Sequence, residues 1–383
     1  SRDMPEIDSG RSNERRMLAE SVADFARRAT DMGRVRKWRG VAPGFDRGLW
    51  QEMAALGWTG LLIPERFGGM GLGLAEMAEV SRGLARVLMP EPLVACAVLA
   101  ARALVHCDNE AFGAELLPRI AAGECIAALA WQEQAGDLGN RTPATEAALR
   151  GGQVVLNGSK RFVAGAAGAD GFVVSARGGS GTVLVWVPAT TPGSSVRLEA
   201  MADGRLSGRL ELADVKLPEK HILAPAEIAQ SALDRALNEA TVMVSAELLG
   251  IMSRALEMTL DYLRTRVQFG RSIGSFQALQ HRAVDLYVQE QLASVALADA
   301  VSAIDEQPDD PLTVAAVSRA KARCSDAASL ITRQAIQMHG AIGFTEDSDV
   351  GLYVKRTLTL SAWLGNSAYH RRRFAGVAPA DAE

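Results

Sequence analysis

Glu247 is the only ionisable residue in TVMVSAELLGIMS, the stretch from Thr241 to Ser253. A carboxyl in such apolar company is either paired with a cation on a facing element or raised in pKa, as a general base is. Glu133, in AWQEQ, reads as a strand-end residue. His281 and Asp285 stand one helical turn apart and read as a local pair at an interface. The glycine cluster from Gly68 to Gly73 lacks the strand–GxGxxG–helix pattern with a later acidic residue, so it reads as loop geometry and not as a nicotinamide site. Cys96, Cys107, Cys125 and Cys324 show no CxxC spacing. They are expected to be reduced core thiols of a cytoplasmic protein, with no metal role. The stretch LTLSAWLGNSAYH, Leu358 to His370, holds no acid at all. No carboxylate occurs between Asp349 and Asp381, while Lys355, Arg356 and Arg371 to Arg373 make that tail basic.

These residues need elements to position them. From residue 11 to about 120 the chain reads as helices. NERRMLAESVADFARRA opens with Asn13 as an N-cap, and Met17, Leu18, Val22, Phe25 and Ala26 share one face. A helix ending at Gly57 is followed by a short apolar strand, then Pro64 and a glycine-rich turn. Residues from about 122 to 225 carry short β-prone runs bounded by Gly, Asn and Pro, with GGQ and NGSK as turn signals. From about 226 the pattern is helical again. About forty residues pass with Gly250 as the one strong interruption, and a later helix begins at Pro311 and ends at Gly340. The expected division is therefore 1–121 helical, 122–225 antiparallel β and 226–383 an up-and-down four-helix bundle, an α+β architecture.

The net charge of −4 is mild and gives no reason to expect nucleic acid or an anionic membrane as partner. The longest apolar runs, LVACAVLAA and VMVSAELLGIM, are too short for a membrane span. The opening residues lack the apolar core of a secretory signal.

With this order of elements, four segments resemble the acyl-CoA dehydrogenases. They are LGWTGLLIPERFGGMGLG, GSKRFVAGAAGADGFVVSAR, RTRVQFGRSIGSFQALQH and IQMHGAIGFTED. The tail VGLYVKRTLTLSAWLGNSAYHRRRFA is similar to the pimeloyl-CoA dehydrogenase small-subunit branch, whose members often pair with a different chain. The resemblance implies FAD between the β-domain and the bundle, its adenosine end reached by a neighbouring subunit. Arg266 would face the pyrophosphate, which a guanidinium fork suits. Gln268, Phe269, Ile273, Phe276 and Gln277 would pack around the cofactor. Gln337, Gly340 and Ala341 would come from another chain. Phe162 and Ala164 would lie on the flavin-facing strand, with Gln132 and Asn366 also at the cofactor and Glu133 holding the flavin loop. Read alone, Arg266 is equally a solvated helix arginine, and Phe269-Gly270 a helix stop.

Family chemistry removes a proton α to a thioester while hydride leaves the β carbon for the flavin. The resemblance places Leu364 where the family's catalytic glutamate stands. The alternative base position falls on Ala240, followed by Thr241 where an arginine is common. Glu239 points about 100° away from that position on a helix. Glu247, seven residues after Ala240 on nearly the same face, is the one relocated base the stretch offers. The loop QAGDLGN replaces the usual lid over the thioester. Three functions follow from the resemblance. The first is an FAD-dependent acyl-CoA dehydrogenase passing electrons to an electron-transferring flavoprotein. The second is a base-deficient subunit completing a partner's FAD site, and the third a flavin monooxygenase on the same fold. A homo- or hetero-tetramer with a related subunit is expected, and small residues on the helices suggest room for a bulky or dicarboxylic acyl group.

Overall fold

The computed structural model describes residues 6–136, 138 and 142–377. Asp137, Gly139 and Asn140, part of the expected lid, lie outside the described residues. The chain forms two compact units, Ser1–Val35 with Leu74–Met89 and Thr241–Glu383, and Arg36–Gly73 with Pro90–Ala240.

In the first unit, α1 (Glu6–Ala29) packs on α4 (Leu74–Ala85). Its Val22, Phe25 and Ala26 are buried as the periodicity requires, but Met17 is exposed. Asn13 is not an N-cap: the helix is already under way at Glu6, and the Asn13 side-chain oxygen Oδ1 accepts from Arg16. The long apolar run is a single 40-residue helix, α7 (Ala226–Thr265), whose residues from Thr241 onward belong to this unit. Gly250 does not break it. A Cβ there would stand 2.2 Å from the Arg82 carbonyl oxygen, so the glycine lets α7 and α4 approach closely. Next come α8 (Gln277–Glu306) and α9 (Pro311–His339). The Asp310 carboxylate caps α9 by accepting from Leu312 N, and Gly340 at φ 67° ends it. Two shorter helices, α10 (Val350–Ala362) and α11 (Ser367–Val377), pack against α9.

In the second unit, Arg36–Gly73 carries α3 (Arg47–Ala55), which follows α2 (Met32–Trp38) in the chain. The expected strand after Gly57 is absent. Residues 58–63 are successive turns, in which Leu61 N donates to Trp58 O and Ile63 N to Gly60 O. A Cβ at Gly69 would stand 2.0 Å from the Ile63 carbonyl, so the glycine-rich segment folds back onto these turns. Beyond a π-helical turn (Val94–Ala100) lie α5 (Ala101–His106) and α6 (Glu110–Ala121).

All strands of the large sheet fall between Ala127 and Ala224: β1 (Ala127–Ala130), β2 (Glu146–Arg150), β3 (Gln153–Ala164), β4 (Gly171–Arg177), β5 (Thr182–Pro188), β6 (Ser194–Ala200), β7 (Leu206–Pro218) and β8 (Ile222–Ala224). Their order is β6-β7-β3-β2-β4-β5-β8, with β1 on β4. The sheet is not wholly antiparallel, because β1 and β2 both run parallel to β4. The reason is legible in β1 itself. All four of its residues are buried, the unalternating pattern of a strand covered on both faces. The apolar core of the sheet centres on Val154, Leu156, Phe172, Val185, Leu210 and Val215.

Candidate functional site

Arg266 follows the last turn of α7, and the chain there makes a two-stranded hairpin from β9 (Val267–Gln268) and β10 (Arg271–Ser272). The turn residues Phe269 and Gly270 both have positive φ, 53° and 77°. Such a turn favours asparagine and glycine, so a phenylalanine there is held in a costly conformation. It is also 91% exposed. The hairpin is pinned to α7: Ser272 Oγ donates to Leu263 O, and Ile273 N to Arg266 O. Phe276 stacks edge-on against Phe269 and lies under the Arg271 guanidinium. Gln268 and Gln277 are exposed, and Ile273 is half-buried. The Arg266 side chain makes no hydrogen bond or ion pair among the described residues.

His339, the last residue of α9, stacks on Tyr262 near the end of α7, with ring centroids 4.5 Å apart. This brings the Arg266 hairpin and the turn after α9 to one end of the same bundle. There Gln337, Gly340 and Ala341 are exposed, as are Ile342 and Phe344. A Cβ at Gly340 would meet nothing within 4 Å, so its backbone is open to approach. A guanidinium unpaired among the described residues beside an exposed aromatic fits the diphosphate of FAD, and the unshielded glycine backbone fits the same group of a neighbouring subunit's FAD.

The second unit presents its own set. The β3–β7 register slips between Lys160 and Val163, and Phe162 in that bulge has φ 55°. A bulge of this kind re-aims a side chain. The Arg161 guanidinium lies over the Phe162 ring, and Arg161 N donates to Gln132 O. Ala164 pairs with Ser207. Below them the Glu133 carboxylate accepts from Lys160 Nζ at 2.8 Å and from the backbone N–H groups of Ala144 and Thr145. Burial alone would raise the Glu133 pKa, but these donors outweigh it and hold the carboxyl down to about 2. Lys160 is fully buried and also donates to Ser175 Oγ.

Both expected base positions are apolar and buried. Ala240 is fully covered, and Leu364 is buried with φ 57°. Glu239 is committed elsewhere: it takes a bidentate pair from Arg102 at 2.8 and 3.0 Å, and a hydrogen bond with His106 at 2.9 Å. Burial opposes its charge, yet these partners keep the carboxyl at about 2. Glu247 faces Arg356 on α10, with Oε1 3.4 Å from Nη2, while Oε2 is buried without a hydrogen bond. His281 and Asp285 are both exposed and make no ion pair with each other.

The turn that carries Leu364 is gripped from two sides. Lys321 on α9, fully buried, donates to Gly365 O at 2.7 Å and to Ser361 O at 3.3 Å, adding a cation at the C-terminus of α10. His370 donates from Nε2 to Leu364 O at 2.8 Å, and its Nδ1 meets Ser318 Oγ at 3.1 Å. Asn366 accepts from Tyr369 N and so caps α11, with its amide nitrogen left for other partners. Burial pushes Lys321 down to about 7 and His370 down to about 3. The folded chain therefore keeps His370 neutral where the unfolded chain protonates it near pH 6.5. Its stabilising contribution is complete above pH 6.5 and is lost as pH falls toward about 3. Lys321 adds relative stability as pH rises from about 7 to about 10.5. Lowering the pH from about 7 to about 5 is expected to cost the native chain more melting temperature than His370→Gln, as followed by circular dichroism. Equal losses would contradict the assignment.

Among the described residues, no group of three His, Cys, Asp or Glu side chains stands ready to hold a metal, and no helix is long and apolar enough to cross a membrane. The four cysteines are free and buried, and burial raises Cys125 to about 11.

Comparison with known proteins adds to this geometry. Residues 12–124 match the family model for the acyl-CoA dehydrogenase N-terminal domain, and residues 230–378 match the one for the C-terminal domain. The chain is 32% identical over 345 residues to acyl-CoA dehydrogenase IpdE2 of Mycobacterium tuberculosis, covering 90% of each. A solved variant of the Tcur3481-Tcur3483 steroid ACAD superposes with a TM-score of 0.85 at 28% identity, over 96% of this chain and 98% of that one. The ChsE4-ChsE5 complex from Mycobacterium tuberculosis gives a TM-score of 0.86 at 27% identity, with the same coverage.

Proposed function

Since the chain belongs to the acyl-CoA dehydrogenase family, an FAD-dependent one, we propose that it is the base-deficient subunit of a hetero-oligomeric acyl-CoA dehydrogenase. One observation carries this reading. Leu364 and Ala240 fill both positions where a base is expected, and the remaining acid, Glu247, is spent on Arg356.

Bound FAD supplies the acceptor for the hydride. This chain's residues hold and orient. Arg266 neutralises the diphosphate, Phe269 and Phe276 offer aromatic surface, and Gln337, Gly340 and Ala341 let the backbone come close to the FAD of a neighbouring subunit. Phe162, Ala164, Gln132, Ile273, Gln268, Gln277 and Asn366 are proposed as further cofactor contacts. The proton α to the thioester is taken by a carboxylate of the partner subunit. Electrons then pass to an electron-transferring flavoprotein.

Two further points support the assembly. Val284, Tyr287, Val288, Leu292 and Val295 are all exposed along α8, an apolar stripe suited to a related subunit in a tetramer. The names of two structural relatives pair two components, and one of them is called a steroid ACAD. The proposed substrate is accordingly a CoA thioester with a bulky, steroid-derived acyl group.

A second reading, a self-sufficient dehydrogenase with Glu247 as base, draws on the unpartnered Oε2 of that residue. Glu247→Gln separates the two. In the assembled enzyme, turnover of acyl-CoA is expected to stay within about twofold; a loss of about a hundredfold or more, the scale of a missing general base, would establish the second reading instead.

A further inference from the structure

Asn366 is exposed, yet both of its chain neighbours are fixed to α9. On one side Lys321 Nζ donates to Gly365 O at 2.7 Å and to Ser361 O at 3.3 Å. On the other, Ser367 Oγ donates to the Asp326 carboxylate at 2.6 Å. His370 closes the same turn from α11 through Leu364 O. The turn has no slack: a Cβ at Gly365 would stand 2.5 Å from the Tyr369 ring and 2.7 Å from His370 Nε2.

Two features of this turn cost stability. Leu364 holds a left-handed φ of 57° at the end of α10, a place glycine takes without strain. Lys321 is fully buried and, among the described residues, pairs with no carboxylate; its acceptors are neutral carbonyls. A buried ammonium is ordinarily matched by an anion, and burial here pushes the amine down to about 7. A helix end needs neither feature, since glycine and solvent cap it at lower cost. Strain of both kinds at one turn persists where a geometry is held for use. Asn366 is what the turn holds. Its Oδ1 is occupied as the cap of α11, accepting from Tyr369 N, while its Nδ2 makes no hydrogen bond among the described residues.

We propose that Lys321 and His370 are positioning residues for the cofactor: by holding the carbonyls of Ser361, Leu364 and Gly365 they fix the Asn366 amide where it donates to FAD, Asn366 being the contact proposed above.

The test is the rate at which the FAD-loaded two-chain assembly releases flavin on dilution, read by flavin fluorescence. Asn366→Asp keeps the cap oxygen and removes the amide donor, and is expected to speed release by about tenfold or more. Lys321→Met is expected to do the same through the turn. The double variant is expected to release within about twofold of Asn366→Asp, since both changes act through one contact. The melting temperature should behave differently, with Lys321→Met lowering it in either background. A lysine that served only the helix end would instead multiply its own factor into the release rate of the double variant. His370→Leu frees Leu364 O with Lys321 in place and is expected to speed release too, which gives a second reading where Lys321→Met does not fold. Release at the native rate by either of these variants once folded, or multiplied factors in the double variant, would overturn the positioning role and leave Asn366 a contact. Release at the native rate by Asn366→Asp would remove the contact itself, and the positioning role with it.

Discussion

Arg356→Met is expected to lower the unfolding free energy by about 3–5 kcal/mol, because it leaves the Glu247 carboxylate buried in apolar helix surface without its counterion. Both side chains are largely covered, at 10% and 14% exposure, so water cannot replace the lost partner cheaply. The double variant Glu247→Leu with Arg356→Met is expected to recover most of that loss, since replacing a whole buried pair by apolar groups is close to neutral. Chemical denaturation of the three proteins measures this as a coupling energy.

Glu133→Leu is expected to cost about 3 kcal/mol or more by the same logic in the other unit. Lys160 has no exposed side-chain surface, and its ammonium would lose its carboxylate hydrogen-bond partner at 2.8 Å. The change also removes the acceptor of the Ala144 and Thr145 N–H groups, so residues 144–145 lose their tie to β3. Since the folded-state pKa lies near 2 and the ordinary value near 4.5, the stabilising contribution of Glu133 is complete above pH 4.5 and fades as pH falls toward 2. A melting series below pH 4.5 should therefore converge for native chain and variant, whereas it should diverge most at neutral pH.

The long helices were readable because nothing interrupts them: α7 has no proline, and Gly250 is there for a crossing, not a stop. The termini of α9 were readable from Pro311 and Gly340. Parallel pairing was not, because hairpin signals between β2 and β3 say nothing about what β4 pairs with. β1 did carry a clue in its unalternating AALA. The supposed strand after Gly57 was a matter of tertiary closure, since Gly60 and Gly69 let backbone approach backbone. The two base positions were expected from the family pattern alone. Their surroundings could not be read: Arg356 lies 109 residues from Glu247, and Lys321 lies 44 from Gly365. Lys355 and Arg356 in the otherwise uncharged LYVKRTLTL held half of that signal, two adjacent cations of which the fold buries Arg356. The commitment of Glu239 to Arg102 and His106 also needed three distant segments to meet.

The FAD-to-protein ratio of the chain produced alone, against the chain produced with a glutamate-bearing acyl-CoA dehydrogenase subunit, tests the central claim most directly. The account predicts a ratio well below about one for the chain alone, with no flavin bleaching by acyl-CoA, and recovery of both bound FAD and bleaching in the two-chain assembly. A chain that carries stoichiometric FAD by itself and bleaches on addition of an acyl-CoA would contradict it.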